Sequence, residues 1–200
     1  MLSVIIPTHE SERQLLPTLT VLVPGAAAGL VREVVLTDAG SRDATREVAD
    51  VAGCRFLSSA EPLGARLAVA ARAARAEWLM FLRPGTILES EWIGDVSRFL
   101  ERAELGETGH RQAAVFRRTA ASITARSQFN EALALIFASL RAPQPQQGLL
   151  IGKRLYEDLG GHRADNRDPE TDLLRRLGRR RIAILRAGVR ITDGAGRGLD

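Results

Sequence analysis

The sequence is short of cysteine, of aromatic residues and of long apolar runs. The single cysteine, Cys54, excludes an internal disulfide bond and predicts a reducing, cytoplasmic environment, in which Cys54 would pack as a small buried residue on a strand. Aromatic residues make up only 4% of the 200 residues, whereas proteins that bind single-stranded nucleic acid rely on aromatic stacking.

No apolar run approaches the roughly 20 residues that span a bilayer. The segment Met1–Pro7 lacks the basic stretch and the small-residue cleavage site of a signal peptide. We therefore predict that it forms the first strand of a globular domain.

The charged residues are numerous but nearly balanced. Lys153 is the only lysine among 28 basic residues, and the formal net charge is +4. The densest basic cluster comprises Arg175, Arg176 and the run Arg179–Arg181. This cluster is typical of a solvated helix end, with a site for a phosphorylated substrate or an anionic membrane surface as the alternative. We expect no nucleic-acid partner, because such proteins concentrate basic charge and aromatic residues on one face.

Short β-rich runs alternate with longer helical patterns in the first half of the chain. This alternation is typical of an α/β fold whose mostly parallel central sheet is flanked by helices. The predicted strands are Leu2–Ile6, Glu33–Leu36, Cys54–Leu57 and Trp78–Leu82, and the predicted helices are Glu12–Val23, Asp43–Val51, Gly64–Arg75 and Glu89–Arg102.

The second half is less regular, but no repeat or long linker separates it from the first. Its predicted elements are a strand at Ala114–Arg118, a long helix at Ser122–Arg141, an apolar run at Leu149–Gly152, a short helix ending at Gly160–Gly161, a helix at Glu170–Leu177 and a strand at Ile182–Leu185. The long helix carries an apolar stripe, which indicates core packing, with a dimer or membrane contact as the alternative. Residues 1–200 are therefore predicted to form one domain with a loose tail at 191–200.

The segment from Val34 to Thr45 is the most informative for function. A strand ends at Asp38, a Gly40-Ser41 turn follows, and a helix begins. In open α/β sheets the ligand crevice lies beyond the carboxyl ends of the strands, which is where Asp38 is predicted to lie. A capped turn without a ligand explains Gly40 and Ser41, but it leaves Asp38 without a role.

Four segments, in matching order and spacing, resemble family 2 glycosyltransferases. Pro7-Thr8-His9-Glu10 resembles the family's Pro-x-x-Asn-Glu, and Asp38-Ala39-Gly40-Ser41 resembles its Asp-Asp-Gly-Ser turn. The segment from Gly148 to His162 is similar to the one that ends in Gly-Gly-Phe, and Pro169–Leu177 is similar to the Glu-Asp-x-Asp-Leu-x-x-Arg-Leu helix. The match covers roughly residues 1–185 and is nearest to a short bacterial subgroup without long insertions.

The resemblance implies a GT-A-like (Rossmann-like) domain that binds a nucleoside-diphosphate sugar, with UDP as the expected nucleotide. It assigns the nucleotide to residues 1–103 and the acceptor, which the sequence does not identify, to residues 104–190. Thr8 and Asp38 would contact the nucleobase or the ribose, with Asp38 accepting a hydrogen bond from the base. The residues implied in nucleotide-sugar binding are Thr8, Glu10, Asp38, Gly40, Ser41, Arg66 and Arg83.

The resemblance also implies an inverting reaction, in which a carboxylate deprotonates the acceptor hydroxyl as the nucleoside diphosphate leaves. In register with the family's helix, the catalytic aspartate falls on Glu170, which is one methylene longer. Asp172 is the second catalytic candidate, and Asp168 is a neighbour that could substitute. Acidic residues also favour a helix N-terminus for electrostatic reasons alone, which is the alternative explanation.

The acids that hold a divalent cation in the family are missing. The family's Asp-x-Asp motif follows the fourth strand, where this chain reads Arg83-Pro84-Gly85, and Ala39 replaces the second acid of the nucleotide turn. Mg²⁺ and Mn²⁺ prefer oxygen ligands, which disfavours a metal site here. Arg83 is predicted to pair with the diphosphate instead, with a surface arginine in a turn as the alternative. We expect Asp38 and Arg83 at the carboxyl ends of neighbouring or near-neighbouring strands.

Two functional hypotheses follow from these residues. The first is a cytoplasmic glycosyltransferase that is either metal-independent or very slow, with a homodimer and a peripheral contact with the inner face of the membrane left open. The second is a catalytically inactive relative that binds a nucleotide or a protein partner as a scaffold. The retained Glu170 favours the first hypothesis, and the loss of the acid motif favours the second.

Overall fold

The computed structural model describes residues 1–107, 112–119 and 143–192. Within these residues, eight strands form one sheet in the order β3-β2-β1-β4-β7-β6-β8-β5. The strands are β1 (Leu2–Thr8), β2 (Val31–Asp38), β3 (Arg55–Ser58), β4 (Trp78–Phe81), β5 (Thr86–Leu88), β6 (Ala113–Arg118), β7 (Leu149–Gly152) and β8 (Ile182–Ile191). The helices are α1 (Glu12–Ala27), α2 (Thr45–Val51), α3 (Leu63–Ala73), α4 (Trp92–Glu104), α5 (Lys153–Asp158) and α6 (Pro169–Leu177), and short 3₁₀ turns span Pro145–Gln147 and Arg179–Arg181.

Parallel pairing is concentrated in the first four strands. Strand β1 lies between β2 and β4 and is parallel to both, and β3 is parallel to β2. Strand β7 runs antiparallel to β4 and to β6, whereas β8 is parallel to β6 and antiparallel to β5. The predicted α/β class is confirmed, and the sheet is mixed, with its parallel part formed by β1 to β4.

Alternate residues of the central strands face two separate hydrophobic cores. From β1, Leu2, Val4 and Ile6 belong to the core covered by α1 and α4, whereas Ile5 belongs to the core covered by α3 and α6. Successive side chains of a strand point to opposite faces, so both faces of an apolar strand must be covered. Burial on both faces explains why these strands appear in the sequence as continuous apolar runs.

The last strand extends farther than its apolar pattern predicted. Strand β8 continues to Ile191, because it pairs with β6 on one side and β5 on the other. Two acidic side chains fix it from outside the sheet. The carboxylate of Asp95 accepts the Ala187 N–H at 2.6 Å, and that of Glu89 accepts the Gly188 N–H at 2.6 Å.

Strand β5 is missing from the sequence-based prediction. It comprises three residues after a Pro-Gly turn, which is too short to produce a periodic signal. Its presence moves the start of α4 to Trp92, whereas the sequence predicted a start at Glu89.

Cys54 lies immediately before β3 and is half-buried against a hydrophobic core, whereas the sequence predicted a strand position. Burial raises the pKa of its thiol to about 11. The thiol is therefore protonated at neutral pH and is a poor nucleophile.

Two predicted segments, the long helix at Ser122–Arg141 and most of the tail at 191–200, lie outside the described residues. Across the part of the chain that the structure describes, every helix is too short or too polar to span a bilayer. The cytoplasmic location, the homodimer and the membrane contact stay predictions from the sequence.

Candidate active site

Asp38 lies at the carboxyl end of β2, buried beneath the turn that follows it. Its Oδ1 accepts hydrogen bonds from Thr8 Oγ1 at 2.9 Å and Ser41 Oγ at 2.5 Å. Its Oδ2 accepts hydrogen bonds from the Gly40 N–H at 2.8 Å and the Ser41 N–H at 2.7 Å. A carboxylate offers about four acceptor positions, so these contacts leave no lone pair for a nucleobase. In this conformation Asp38 stabilises the turn that follows it by accepting hydrogen bonds from Gly40 and Ser41.

The turns after β1 and β2 are joined through Glu10. The Glu10 N–H donates to Ser41 Oγ at 2.9 Å, and Glu10 Oε1 accepts a hydrogen bond from the Arg42 N–H at 2.7 Å. Glu10 has a φ of 47°, a left-handed conformation that is uncommon for residues other than glycine. Such backbone strain is concentrated at functional sites. We call residues 8–11 and 38–45 the paired turns; they bring Thr8, Glu10 and Ser41 together at the sheet edge.

Arg66 lies in α3 and is buried next to the paired turns. Its Nη1 donates to the Thr37 carbonyl at 2.7 Å, and its Nε donates to the Glu61 carbonyl at 3.1 Å. Burial lowers the pKa of Arg66, and the nearby carboxylate of Asp38 acts in the opposite direction. These contacts tie α3 to the end of β2, so Arg66 supports the paired turns.

Replacing Asp38 with Asn should destabilise the chain by about 2–4 kcal/mol, because a buried donor left without its acceptor costs about 1–3 kcal/mol. An amide keeps one acceptor oxygen and places an NH₂ group against the donors of the turn. Urea unfolding followed by circular dichroism would show a lower midpoint at an unchanged slope. Glu10→Gln keeps an acceptor for the Arg42 N–H and is the matched control, with a much smaller shift. An unaltered midpoint in Asp38→Asn would contradict the role of Asp38 in shaping the turn.

The segment after β4 is a tight β-turn over Arg83-Pro84-Gly85-Thr86. The Thr86 N–H donates to the Arg83 carbonyl at 3.1 Å, which closes the turn. Proline sets the φ of the second position, and Gly85 has a φ of 84°, the positive value that the third position of this turn requires. The Gly85 N–H also donates to the Gln14 carbonyl at 2.8 Å, which anchors the turn to α1.

This β-turn does not fit a divalent cation. Its side chains supply a guanidinium and no carboxylate, whereas hard cations bind oxygen ligands. Within residues 1–107, 112–119 and 143–192, no group of three or more His, Cys, Asp or Glu side chains is arranged to hold a metal ion. The residues at the position of the family's acid motif are therefore unsuited to Mg²⁺ or Mn²⁺.

Arg83 and Glu170 form an ion pair at this sheet edge. Arg83 follows β4, and one strand, β1, separates β4 from β2 and Asp38, as the sequence predicted. Glu170 lies in the first turn of α6. Arg83 Nη2 donates to Glu170 Oε2, and Arg83 Nε donates to Glu170 Oε1 at 3.4 Å. The structure thus brings together the residues predicted to bind phosphate and to act as a base.

The other acidic candidates of α6 make structural contacts. Asp168 caps α6, and its carboxylate accepts the Thr171 N–H at 3.1 Å. Asp172 is buried and accepts hydrogen bonds from Arg175 at 2.9 Å and Arg176 at 2.8 Å. The hydrogen bond from Arg175, together with that from Arg176, holds the pKa of Asp172 below its ordinary value despite its burial. Asp172 is thus bound by two arginines of its own helix, whereas Glu170 faces Arg83 at the sheet edge and stays the candidate base.

Arg176 and Tyr156 hold the loop that leads into α6, and sequence reasoning missed both roles. Arg176 donates to the carbonyls of Leu159 and Gly161. The Tyr156 hydroxyl accepts the His162 N–H at 3.0 Å and lies 2.9 Å from His162 Nδ1. Burial lowers the pKa of His162 to about 3, so this histidine is neutral at physiological pH. The sequence offered one signal for this contact, because His162 stands where the family's Gly-Gly-Phe segment has phenylalanine.

Gly64, in the first turn of α3, determines how closely the loop before α6 approaches α3. A side chain at Gly64 would collide with the carbonyl of Arg163 and would press against Pro169. The start of α3 therefore packs at backbone distance against the loop before α6 and close to Pro169, which helps to place Glu170 relative to the sheet.

Comparisons with known proteins agree with this geometry. The family model described as glycosyl transferase family 2 matches residues 3–137. None of the curated proteins matches the chain.

Solved structures share the fold. The structure of TarS residues 1–349 from S. aureus superposes with a TM-score of 0.65 at 16% identity, covering 92% of this chain and 57% of that one. Glucosyl-3-phosphoglycerate synthase from Mycobacterium tuberculosis, in complex with Mn²⁺, UDP and glucosyl-3-phosphoglycerate, gives a TM-score of 0.67 at 20% identity over 96% of this chain and 72% of that one. The complex of the same enzyme with Mn²⁺ and UDP-glucose gives 0.68 at 20% identity over 96% and 71%. This chain thus spans little more than half of the TarS fragment, and at these identities the likeness establishes the fold.

Proposed function

Because this chain belongs to glycosyl transferase family 2, we propose that it transfers a sugar from a nucleoside-diphosphate donor to an acceptor hydroxyl. The proposed reaction is inverting and uses no metal, with Arg83 facing the diphosphate and Glu170 acting as the base. The observation that carries the proposal is the meeting of Arg83 and Glu170 at the sheet edge where the paired turns lie.

In the proposed reaction, Glu170 accepts the proton of the acceptor hydroxyl. The acceptor oxygen forms a bond to the anomeric carbon while the bond from that carbon to the diphosphate oxygen breaks, so the configuration inverts. The nucleoside diphosphate leaves with the electron pair of the broken bond. Arg83 stabilises the charge that develops on the leaving group through charge-assisted hydrogen bonds.

The paired turns are proposed to receive the nucleoside. Asp38 and Thr8 support the turn from below, so the nucleoside would contact the outer surface formed by Glu10, Gly40 and Ser41. The structural neighbours support a UDP-type donor, since the TarS fragment was solved with UDP and the synthase with UDP or UDP-glucose.

A nucleotide-binding protein without transferase activity is the second candidate. Two observations favour it. Arg83 and Gly85 occupy the positions of the family's acid motif, and the carboxylate of Asp38 is saturated by donors of its own chain.

A donor panel separates the two candidates. The chain would be incubated in EDTA with UDP-glucose, UDP-galactose, UDP-N-acetylglucosamine or UDP-glucuronic acid, with and without simple alcohols as acceptors. We expect at least one donor to raise the melting temperature and to release UDP. Stabilisation without release of UDP from any donor would favour the nucleotide-binding protein, and no stabilisation by any donor would remove both candidates in their UDP-binding form.

A further inference from the structure

The ion pair between Arg83 and Glu170 joins two groups that the proposed reaction uses on different substrates. Under the proposed function, Arg83 faces the donor diphosphate and Glu170 faces the acceptor hydroxyl. In the structure, each is the partner of the other. Both oxygens of the Glu170 carboxylate accept hydrogen bonds from Arg83, so the guanidinium occupies the side of the carboxylate that would accept the proton of the acceptor hydroxyl. The ion pair therefore opposes the role of Glu170 as a base.

We propose that the donor diphosphate displaces Glu170 from Arg83, so that donor binding releases the base. This inference rests on the proposed function. Before the donor binds, Arg83 holds the carboxylate of Glu170. Once the diphosphate occupies the guanidinium, the carboxylate is free to accept the proton of the acceptor hydroxyl. Arg83 thus acts as a positioning residue for Glu170 as well as a ligand of the diphosphate, and the donor binds before the acceptor is activated.

The geometry of the pair favours this exchange over a bridge in which Arg83 holds both anions. Glu170 occupies the Nε–Nη2 edge of the guanidinium, a bidentate geometry that suits phosphates as well as carboxylates. The side chains of Arg83 and Glu170 are only 20% and 10% exposed, so water screens their surroundings weakly. A carboxylate and a diphosphate on one guanidinium would therefore repel each other. The diphosphate carries the larger negative charge, so it displaces Glu170 from the Nε–Nη2 edge of the guanidinium.

The neighbouring acidic side chains already have partners within α6. Glu170 is therefore the acid that exchanges its partner when the diphosphate binds. Asp172 is bound by Arg175 and Arg176, and Asp168 caps α6. Within the described residues, the only ion pair of Arg83 is the one with Glu170.

Calorimetric titration with UDP in EDTA tests the exchange. The unmodified chain, Glu170→Gln, Arg83→Ala and the double variant would be compared. Glu170→Gln removes the carboxylate that competes with UDP for Arg83, so it should tighten UDP binding by about 3- to 10-fold. This gain in affinity should disappear when residue 83 is already alanine. Inorganic pyrophosphate should give the same pattern, because the exchange requires only the diphosphate.

Two further variants complete the test. Asp165→Asn removes one negative charge from an exposed position in the loop before α6, and it should change UDP affinity by less than about twofold if the effect of Glu170 is specific. Glu170→Asp shortens the reach to Arg83 by one methylene and should give a smaller gain in the same direction, which also covers a failure of Glu170→Gln to fold.

Each remaining outcome overturns a defined part of the scheme. UDP binding by Glu170→Gln that is no tighter than that of the unmodified chain would overturn the exchange and leave the proposed function standing. An equal gain in Asp165→Asn would overturn it as a general charge effect. Absence of UDP and pyrophosphate binding in every protein would overturn the proposed function, and the exchange with it.

Discussion

Glu170→Gln is expected to lower the rate of sugar transfer by about 10²- to 10⁴-fold, the usual contribution of a positioned general base. The amide keeps the shape of the side chain, but it cannot accept the proton of the acceptor hydroxyl. The rate would be measured with the donor and acceptor that give the highest turnover in the unmodified chain. Because a base acts in the transition state, the loss should appear in kcat without any weakening of donor binding.

Asp168→Asn and Asp172→Asn are the comparisons for that measurement. Asp168→Asn keeps the oxygen that caps the Thr171 N–H, and Asp172→Asn weakens the contacts with Arg175 and Arg176. Neither should approach the loss caused by Glu170→Gln. Full turnover in Glu170→Gln together with a large loss in one of the others would assign the base to that residue instead.

Arg83→Ala is expected to weaken UDP binding by about 10- to 150-fold, since a hydrogen bond to a charged group contributes about 1.5–3 kcal/mol. UDP should raise the melting temperature of the unmodified chain equally in EDTA and in manganese, because Arg83 supplies the positive charge. The variant should lose most of that increase. Arg154→Ala removes the same charge from an exposed position on α5 and is the matched control.

A strict requirement for added manganese would refute the role of Arg83 as the partner of the diphosphate. Retained affinity in Arg83→Ala would refute it equally, and the Glu170 ion pair would then be a purely structural contact.

The sequence predicts the first half of the fold well because its strands are buried on both faces. A strand such as β1, with no exposed residue, leaves a continuous apolar run that is bounded by turn residues. Strand β5 was missed because its three residues are too few to produce a periodic signal. The end of β8 was missed because it depends on pairing with β5 and β6 and on the carboxylates of Glu89 and Asp95, and such contacts leave no periodic pattern.

The candidate site was predictable in its residues but not in their partners. The motifs indicated Arg83 and Glu170, yet these residues are 87 positions apart and nothing local predicts that they touch. Asp38 was expected to face a ligand, whereas the following turn directs three donors onto it and Thr8, at the end of β1, supplies a fourth. Such saturation depends on atomic positions that spacing alone does not define.

A cation-dependent site would be difficult to build in this chain because of the β-turn that follows β4. Arg83→Asp alone would supply one carboxylate, but it would remove the guanidinium that holds Glu170. The second carboxylate would have to enter at Gly85, whose φ of 84° costs a residue with a side chain about 1–2 kcal/mol. Each single substitution toward the family's acid motif would therefore cost the chain either the partner of Glu170 or the stability of the β-turn.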